Sequence, residues 1–180
     1  VGGVVAAQNR NTRVDYAVIG VALIGIAVPN FVVGPLLSHW FGLKLELLPV
    51  SGWGELRHLV LPGLTLSFVY AAYFARIARG GMLEVEHEDF VRTARAKGLP
   101  PWLITVRHKL RLGLLPVVTF LGPAASEIVV GSVVVERIFQ IPGVGRYTVE
   151  AALNRDYTLL MTMVVVVFTL MFWANAIVDF

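Results

Sequence analysis

The residue types that usually carry out catalysis are present in this chain, but their spacing does not bring them together. A phosphate-binding loop needs glycine, then lysine, then serine or threonine, and no lysine here follows a glycine. Neither HExxH nor GxSxG occurs, the four histidines lack metal-ligand spacing, and cysteine is absent. We therefore predict no catalytic residue, no metal site and no cofactor, so any energy source must lie on a partner.

One acid stands inside a long apolar run. Residues 112–135 contain Glu127 and no other Asp, Glu, Lys or Arg. A charge inside a membrane is costly, so an acid there faces protein or water. Two interpretations stay open. Glu127 lines a pathway through the membrane, where it meets a substrate amine or relays a proton, or it is a hydrogen-bonded group at a helix contact.

Two prolines raise a similar question in the apolar run 16–38, which contains Pro29 and Pro35. Inside a helix each proline removes one backbone hydrogen bond, and a membrane tolerates that loss only where neighbouring groups replace it. A flexible helix that lines the same pathway and a simple packing kink explain Pro29 equally well.

These residues would have to be positioned by membrane-spanning helices. With 57% hydrophobic residues in 180, the chain is too apolar for an ordinary soluble domain. Its basic residues also lack the even distribution of a nucleic-acid-binding surface. A span takes about 20 apolar residues. We predict an all-α polytopic membrane helix bundle, a single domain over residues 1–180 with spans at about 16–38, 58–78, 112–135 and 157–178. Buried helices of a large soluble core are the alternative.

The basic residues indicate the orientation, because Lys and Arg are retained on the cytoplasmic side of a membrane. Of the 15 Lys and Arg residues, eight lie between Arg76 and Arg111 and two lie in segment 8–15. The other five lie in the two loops on the opposite side. We therefore predict that the loop at about 79–111 and both ends of the chain face the cytoplasm. Val1–Ala7 has the composition of the end of an apolar helix, which predicts that further spans precede it.

The loop at 79–111 is predicted to contain one short, charged helix. Residues 82–97 lack Gly and Pro and are rich in helix-forming Glu, Arg, Ala and Leu. Gly98 follows, and a residue without a Cβ easily adopts the left-handed conformation that ends a helix. Pro100 and Pro101 prevent continuation. The expected helix therefore runs from Met82 to Lys97.

The sequence FVRTARAKGL at residues 90–99 resembles the EAA motif of permeases from bacterial ATP-binding-cassette (ABC) importers. In the general motif an acid and two alanines precede a glycine at a fixed spacing. Here Arg92 and Thr93 stand in place of the acid and the first alanine, while Ala94 and Gly98 keep the second alanine and the glycine.

Two further details favour one subfamily. The sequence RTARAKGL at residues 92–99, followed by Leu-Leu-Pro at residues 114–116, resembles dipeptide, oligopeptide and nickel permeases. The Leu-Leu-Pro group lies five residues later than in the general motif. The sequence AALNRDY at residues 151–157 resembles the last external loop of oligopeptide permeases. The chain is therefore similar to the dipeptide/oligopeptide/nickel family of inner-membrane permeases, and most of all to the B-type oligopeptide subunit.

The resemblance implies a multi-pass subunit in the inner membrane of a bacterium that passes peptides and is driven by ATP hydrolysis elsewhere. Its implied partners are a second permease in a heterodimer, cytoplasmic ABC ATPase subunits, an external substrate-binding protein and membrane lipid, with no nucleic acid. The loop helix would seat in a groove of an ATPase. The residues expected to couple there are Glu88, Asp89, Phe90, Arg92, Thr93, Ala94, Arg95, Ala96, Lys97 and Gly98.

Helical spacing places Phe90, Ala94 and Lys97 along one side, and we expect that side to meet the ATPase. Alternatives stay open. The loop helix could rest on anionic lipid, although its four acids between positions 84 and 89 oppose that. The chain could be a channel or scaffold without an ATPase, or its importer could carry nickel or another small solute.

Overall fold

Helices account for almost all of the regular structure. The protein is described here by a computed structural model of residues 1–179, in which the side chains at 129–132, 178 and 179 lie outside the description. This part of the chain forms ten α-helices and two π-helical segments, Ser38–Lys44 and Thr105–Lys109, and contains no strand. The helices are α1 (Gly2–Gln8), α2 (Arg13–Ala27), α3 (Asn30–Leu37), α4 (Arg57–Val85), α5 (Asp89–Ala96), α6 (Pro101–Ile104), α7 (Leu110–Gly113), α8 (Leu115–Phe139), α9 (Val144–Leu153) and α10 (Tyr157–Asp179).

Internal contacts divide the chain into two compact units. The first consists of Val1–Ala27 and Ala71–Leu121, and the second consists of Val28–Tyr70 and the chain from Gly122 onward. The long helices α4 and α8 each contribute residues to both units.

The first unit is held together by close backbone approaches and a buried ion pair. A Cβ at Gly3 would lie 2.9 Å from the Cβ of Ala78, so α1 packs closely on α4 only because position 3 is glycine. Asp15, which is 1% exposed, accepts hydrogen bonds from Arg79 Nε at 2.6 Å and Nη2 at 2.7 Å. This two-point contact joins the first turn of α2 to the last third of α4.

The second unit has its own apolar core and a stabilised helix start. Leu61, Val135 and Phe139 are buried together. The Glu136 carboxylate accepts a hydrogen bond of 2.8 Å from the backbone N–H of Arg146 in the first turn of α9. A negative charge at that position complements the helix dipole, which favours the start of α9 immediately after Gly143.

Within the described residues, two single helices are long and apolar enough to cross a membrane. They are α4, with 29 residues, and the Tyr157–Ile177 part of α10, with 21. The number rises to four if each of two bent pairs counts as one span, namely Arg13–Ala27 with Asn30–Lys44 and Leu115–Ile128 with Val133–Phe139. Part of the predicted span 112–135 lies outside the described side chains, and so does the end of the predicted span 157–178. The predicted domain 1–180 includes position 180, which lies outside the described residues.

The structure places Pro29 between two helices, whereas the sequence pattern placed it inside one. Helix α2 ends at Ala27, and Pro29 is the extended residue that precedes α3, with φ −67° and ψ 150°. The ring of a proline disfavours helical geometry in the preceding residue, so the chain leaves the helix at Val28 rather than bending through it. Pro35 does lie inside a helix, α3.

The predicted helix from Met82 to Lys97 is also wrong in its first half. Met82 belongs to α4, which continues to Val85, and a turn precedes α5 at Asp89. Glu88 is extended there, with φ −67° and ψ 147°. Helix propensity over a few residues is a weak preference, and here burial of the apolar side of α5 against Val85 requires the chain to reverse.

Candidate functional site

Helix α5 packs one side against its own chain. Val91 is fully buried and Ala94 is 4% exposed, and both belong to one buried apolar cluster with Val85 at the end of α4 and Ile104 at the end of α6. Phe90 and Leu99 pack against this cluster. We call these six residues the loop core. Because the core joins α5 to two other helices, α5 is held as part of a folded loop and not as a free helix.

The opposite side of α5 is exposed. Asp89, Arg92, Thr93 and Ala96 are all exposed, and their spacing of three, four and seven residues places them on one helical stripe. We call this stripe the outer face of α5. Thr93 Oγ1 donates a 2.9 Å hydrogen bond to the Asp89 carbonyl, while the Arg92–Asp89 ion pair is long, at 3.5 Å, and well exposed. The outer face is therefore small, polar and open to a partner.

A single carboxylate joins α5 to the π-helical segment Thr105–Lys109. Glu86 accepts from Arg95 Nη2 with one oxygen and from Lys109 Nζ with the other. We call this arrangement the Glu86 clamp. Lys109 is buried, so its ammonium group depends on Glu86 for a countercharge. Burial raises the pKa of the Glu86 carboxyl, but the hydrogen bonds from Lys109 and Arg95 outweigh that effect and hold the pKa below its ordinary value.

The C-terminal end of α5 follows the prediction for Gly98. Its φ is +72°, and a Cβ there would meet nothing within 4 Å, so the requirement for glycine comes from the backbone and not from crowding. Gly98 N–H donates to the Arg95 carbonyl at 2.9 Å and Leu99 N–H donates to the Ala94 carbonyl at 3.3 Å. These two bonds form a Schellman motif, and the packing of Leu99 into the loop core accompanies it.

The predicted coupling residues separate into distinct environments. Phe90 and Ala94 lie in the loop core, so the expectation that they form the outward side with Lys97 is wrong. The reason is that burying the apolar stripe of α5 against Val85 and Ile104 leaves a polar stripe outward. A role for these residues in coupling stays a prediction. Arg95 belongs to the Glu86 clamp, and the residues at the helix ends, Glu88, Lys97 and Gly98, are exposed.

The two predicted pathway residues belong to the second unit. Glu127 lies in α8 with an exposed side chain, and Pro29 is exposed before α3. The neighbour of Glu127, Ser126, is buried and accepts a 2.6 Å hydrogen bond from Asn175 of α10. Either role of Glu127 stays a prediction. Among the side chains that the structure describes, no group of three or more His, Asp or Glu residues could hold a metal ion.

Comparison with known proteins decides the family. The family model described as "Binding-protein-dependent transport system inner membrane component" matches residues 1–180. The chain belongs to this family. The predicted resemblance to importer permeases is confirmed, and so are the all-α membrane helix bundle and the multi-pass location in the inner membrane.

Several relatives of this transport family are similar over most of the chain. The oligopeptide transport system permease protein OppB of Salmonella typhimurium is 49% identical over 167 residues, which are 92% of this chain and 55% of that protein. The dipeptide transport system permease protein DppB of Bacillus subtilis is 45% identical over 159 residues, or 88% of this chain and 52% of that protein. The chain thus spans just over half the length of these relatives.

Sequence reasoning missed two residues of this inner-membrane transport component, Glu86 and Lys109. Both were counted only as loop charges. The three acids at 84, 86 and 88 alternate with other residues, and nothing in the sequence distinguishes the one that meets a buried lysine 23 positions later. Asp15 and Arg79 were missed for the same reason, because 64 positions separate the two partners.

Proposed function

We propose that the chain is the transmembrane permease part of an ATP-driven peptide importer, and that the loop containing α5 couples it to the ATPase. Relatives at 45–49% identity are named oligopeptide and dipeptide transport permeases, which supports peptides as the substrate class. The proposed partners are a second permease, cytoplasmic ABC ATPase subunits and an external substrate-binding protein. Because the sequence contains no phosphate-binding loop, we assign ATP hydrolysis to the ATPase subunits.

The folded loop is suited to transmit movement. A helix docked in an ATPase groove can displace the membrane helices only if it does not rotate independently of them. The loop core joins α5 to Val85 at the end of α4, and the Glu86 clamp joins it to Lys109. A further close approach links α4 to α7, because a Cβ at Gly113 would lie 2.7 Å from Met82 Sδ. Movement of α5 would therefore displace the end of α4 with it.

The outer face of α5 is the surface we assign to the ATPase. It is the exposed side of a helix whose other side is already buried in the chain's own core. This exposed polar stripe on a rigidly packed helix is the observation that carries the coupling proposal. Arg92 and Asp89 supply one charge of each sign, which favours a specific register over general electrostatic attraction.

A substitution on the outer face tests the proposal. Ala96→Trp adds a bulky side chain to that face without touching the loop core. In vesicles reconstituted with the complete importer, we expect peptide transport to fall at least about tenfold, since a lost interface contact of about 1.4 kcal/mol gives that factor. Membrane insertion should be unchanged. Normal transport by Ala96→Trp would contradict the assignment of this face.

Cross-linking supplies an independent measurement. The native chain has no cysteine, so single cysteines can be read without interference. Thr93→Cys on the outer face should cross-link to the ATPase subunit. Leu153→Cys, which is also exposed but lies at the end of α9, is the matched control and should not. If Thr93→Cys reacts only with lipid-soluble reagents and never with the ATPase, the result would contradict the coupling proposal. It would favour the alternative of a channel or scaffold without an ATPase.

A further inference from the structure

The first unit contains a cavity to which the proposed function assigns no ligand. It has a volume of about 700 Å³ and is bordered by the turn after α1, the end of α4 and the α6–π-helical segment. Four charged side chains line it, namely Arg10, Glu86, Arg95 and Lys109. A volume of this size is in the range that holds small ligands or headgroups.

The cavity carries a net positive charge, and its cations have hydrogen-bond donors that Glu86 does not use. Three cations face one carboxylate, which leaves a formal charge of +2. Glu86 takes one donor from Arg95 and one from Lys109, whereas a guanidinium has five N–H donors and an ammonium has three. Arg10 is exposed at the cavity rim. The lining can therefore donate several hydrogen bonds to an anion without breaking the Glu86 clamp.

The rest of the lining is apolar or aromatic. Leu83, in the last turn of α4, contributes together with Leu99, Ile104 and Pro101. Trp102 also lines the cavity and is 66% exposed. Tryptophan is enriched where a membrane helix meets the headgroup region, and α4 is one of the two helices that can span a membrane alone. The cavity thus combines cations with an apolar wall at the end of a membrane helix.

We propose that this cavity binds the phosphate headgroup of an anionic phospholipid, with the glycerol and acyl part against Leu83 and Trp102. Basic pockets near the ends of membrane helices are suited to such headgroups. Phosphate is the chemistry that the cations recognise, and the apolar wall selects the lipid over free phosphate. The site is distinct from the outer face of α5, and the proposal does not depend on the coupling proposal.

A lipid titration tests the site. The intact permease in a neutral detergent is titrated with short-chain phosphatidylglycerol, and bound lipids are counted by native mass spectrometry. Arg10→Gln should weaken the tightest binding step about fivefold, since one basic residue contributes about that factor to anionic lipid binding. Arg10→Lys should bind as the wild type does, which separates loss of charge from loss of fold.

Controls distinguish this site from general attraction. Arg13→Gln removes an equal charge three residues later, outside the cavity, and should leave the tightest step unchanged. Trp102→Ala should weaken it, and phosphatidylcholine should not replace the anionic lipid. Equal weakening by Arg13→Gln and Arg10→Gln would overturn the proposal. Displacement of the lipid by equimolar inorganic phosphate would overturn it as well, because the site would then be one for free phosphate.

Discussion

At the scale of single residues, Glu86 connects separate parts of the loop. It is the first residue after α4, and its two oxygens meet a cation on α5 and a buried cation before α7. These bonds add to the apolar contacts of the loop core, which already join α5 to α4 and α6. Together the two bonds tie α5 to the π-helical segment through one carboxylate, and this supports the orientation of α5 relative to the end of α4.

Replacing Glu86 with glutamine should loosen α5. Glutamine can keep one hydrogen bond but provides no countercharge for Lys109. We expect the free energy of local opening of α5 to fall by about 1–2 kcal/mol. This is in the lower part of the range for losing a hydrogen bond to a charged group, because the carboxylate is partly exposed and solvent weakens the pair. Amide hydrogen exchange of the intact permease measures this. Glu84→Gln, an exposed acid in the last turn of α4, is the matched control, and equal exchange in both variants would contradict the clamp.

The same carboxylate predicts a pH dependence. Its pKa in the folded loop lies below the ordinary value of 4.5, so the clamp stabilises α5 fully above that value. The stabilisation is lost as pH falls through the lower folded pKa, because the protonated carboxyl no longer pairs with Lys109. The difference in α5 opening between wild type and Glu86→Gln should therefore stay constant between about pH 6 and about pH 8 and shrink only in acid. A difference that changes across the neutral range would point to another group.

At the scale of elements, the end of α5 was predictable and its beginning was not. Gly98 determines the end through backbone geometry, which is local and can be read from one residue type. The beginning depends on Glu86, Lys109 and Ile104, and the last two are separated from α5 by two prolines and a turn. Which side of α5 faces outward was missed for the same reason, since both the apolar and the polar stripe have helical spacing.

Two alanines of α5 should therefore respond differently to enlargement. Ala94→Trp overfills the loop core, which typically costs about 1–3 kcal/mol, so α5 should become more susceptible to limited proteolysis even without an ATPase. Ala96→Trp points outward and should leave proteolysis unchanged while it impairs transport. Equal protection of the loop in both variants would mean that Ala94 is not packed as the structure describes.

At the scale of the whole molecule, apolar run length predicted the membrane helices but not their interruptions. Helices α4 and α10 follow directly from composition. The break before Pro29 depends on a local steric rule and could have been placed from the sequence. The two units, however, depend on contacts such as Asp15 with Arg79, which no local pattern contains.

Orientation in the membrane can be tested with single introduced cysteines, because the native chain has none. Ser51→Cys and Glu88→Cys each place a thiol at an exposed position, and the two positions lie in loops on opposite predicted sides of the membrane. Because ten of the fifteen basic residues lie on the predicted cytoplasmic side, an impermeant thiol reagent added to intact cells should label position 51 and miss position 88. The reverse pattern would invert the topology.

The small outer face of α5 has a consequence for assembly. Eight residues make a helix about 12 Å long, and a stripe of four side chains is far below the area of about 1,200 Å² that a stable interface buries. One such contact could not retain an ATPase by itself. In the proposed heterodimer, two loops held in the same membrane would raise each other's effective concentration and bind through avidity. Loss of one loop should then weaken ATPase binding by much more than half.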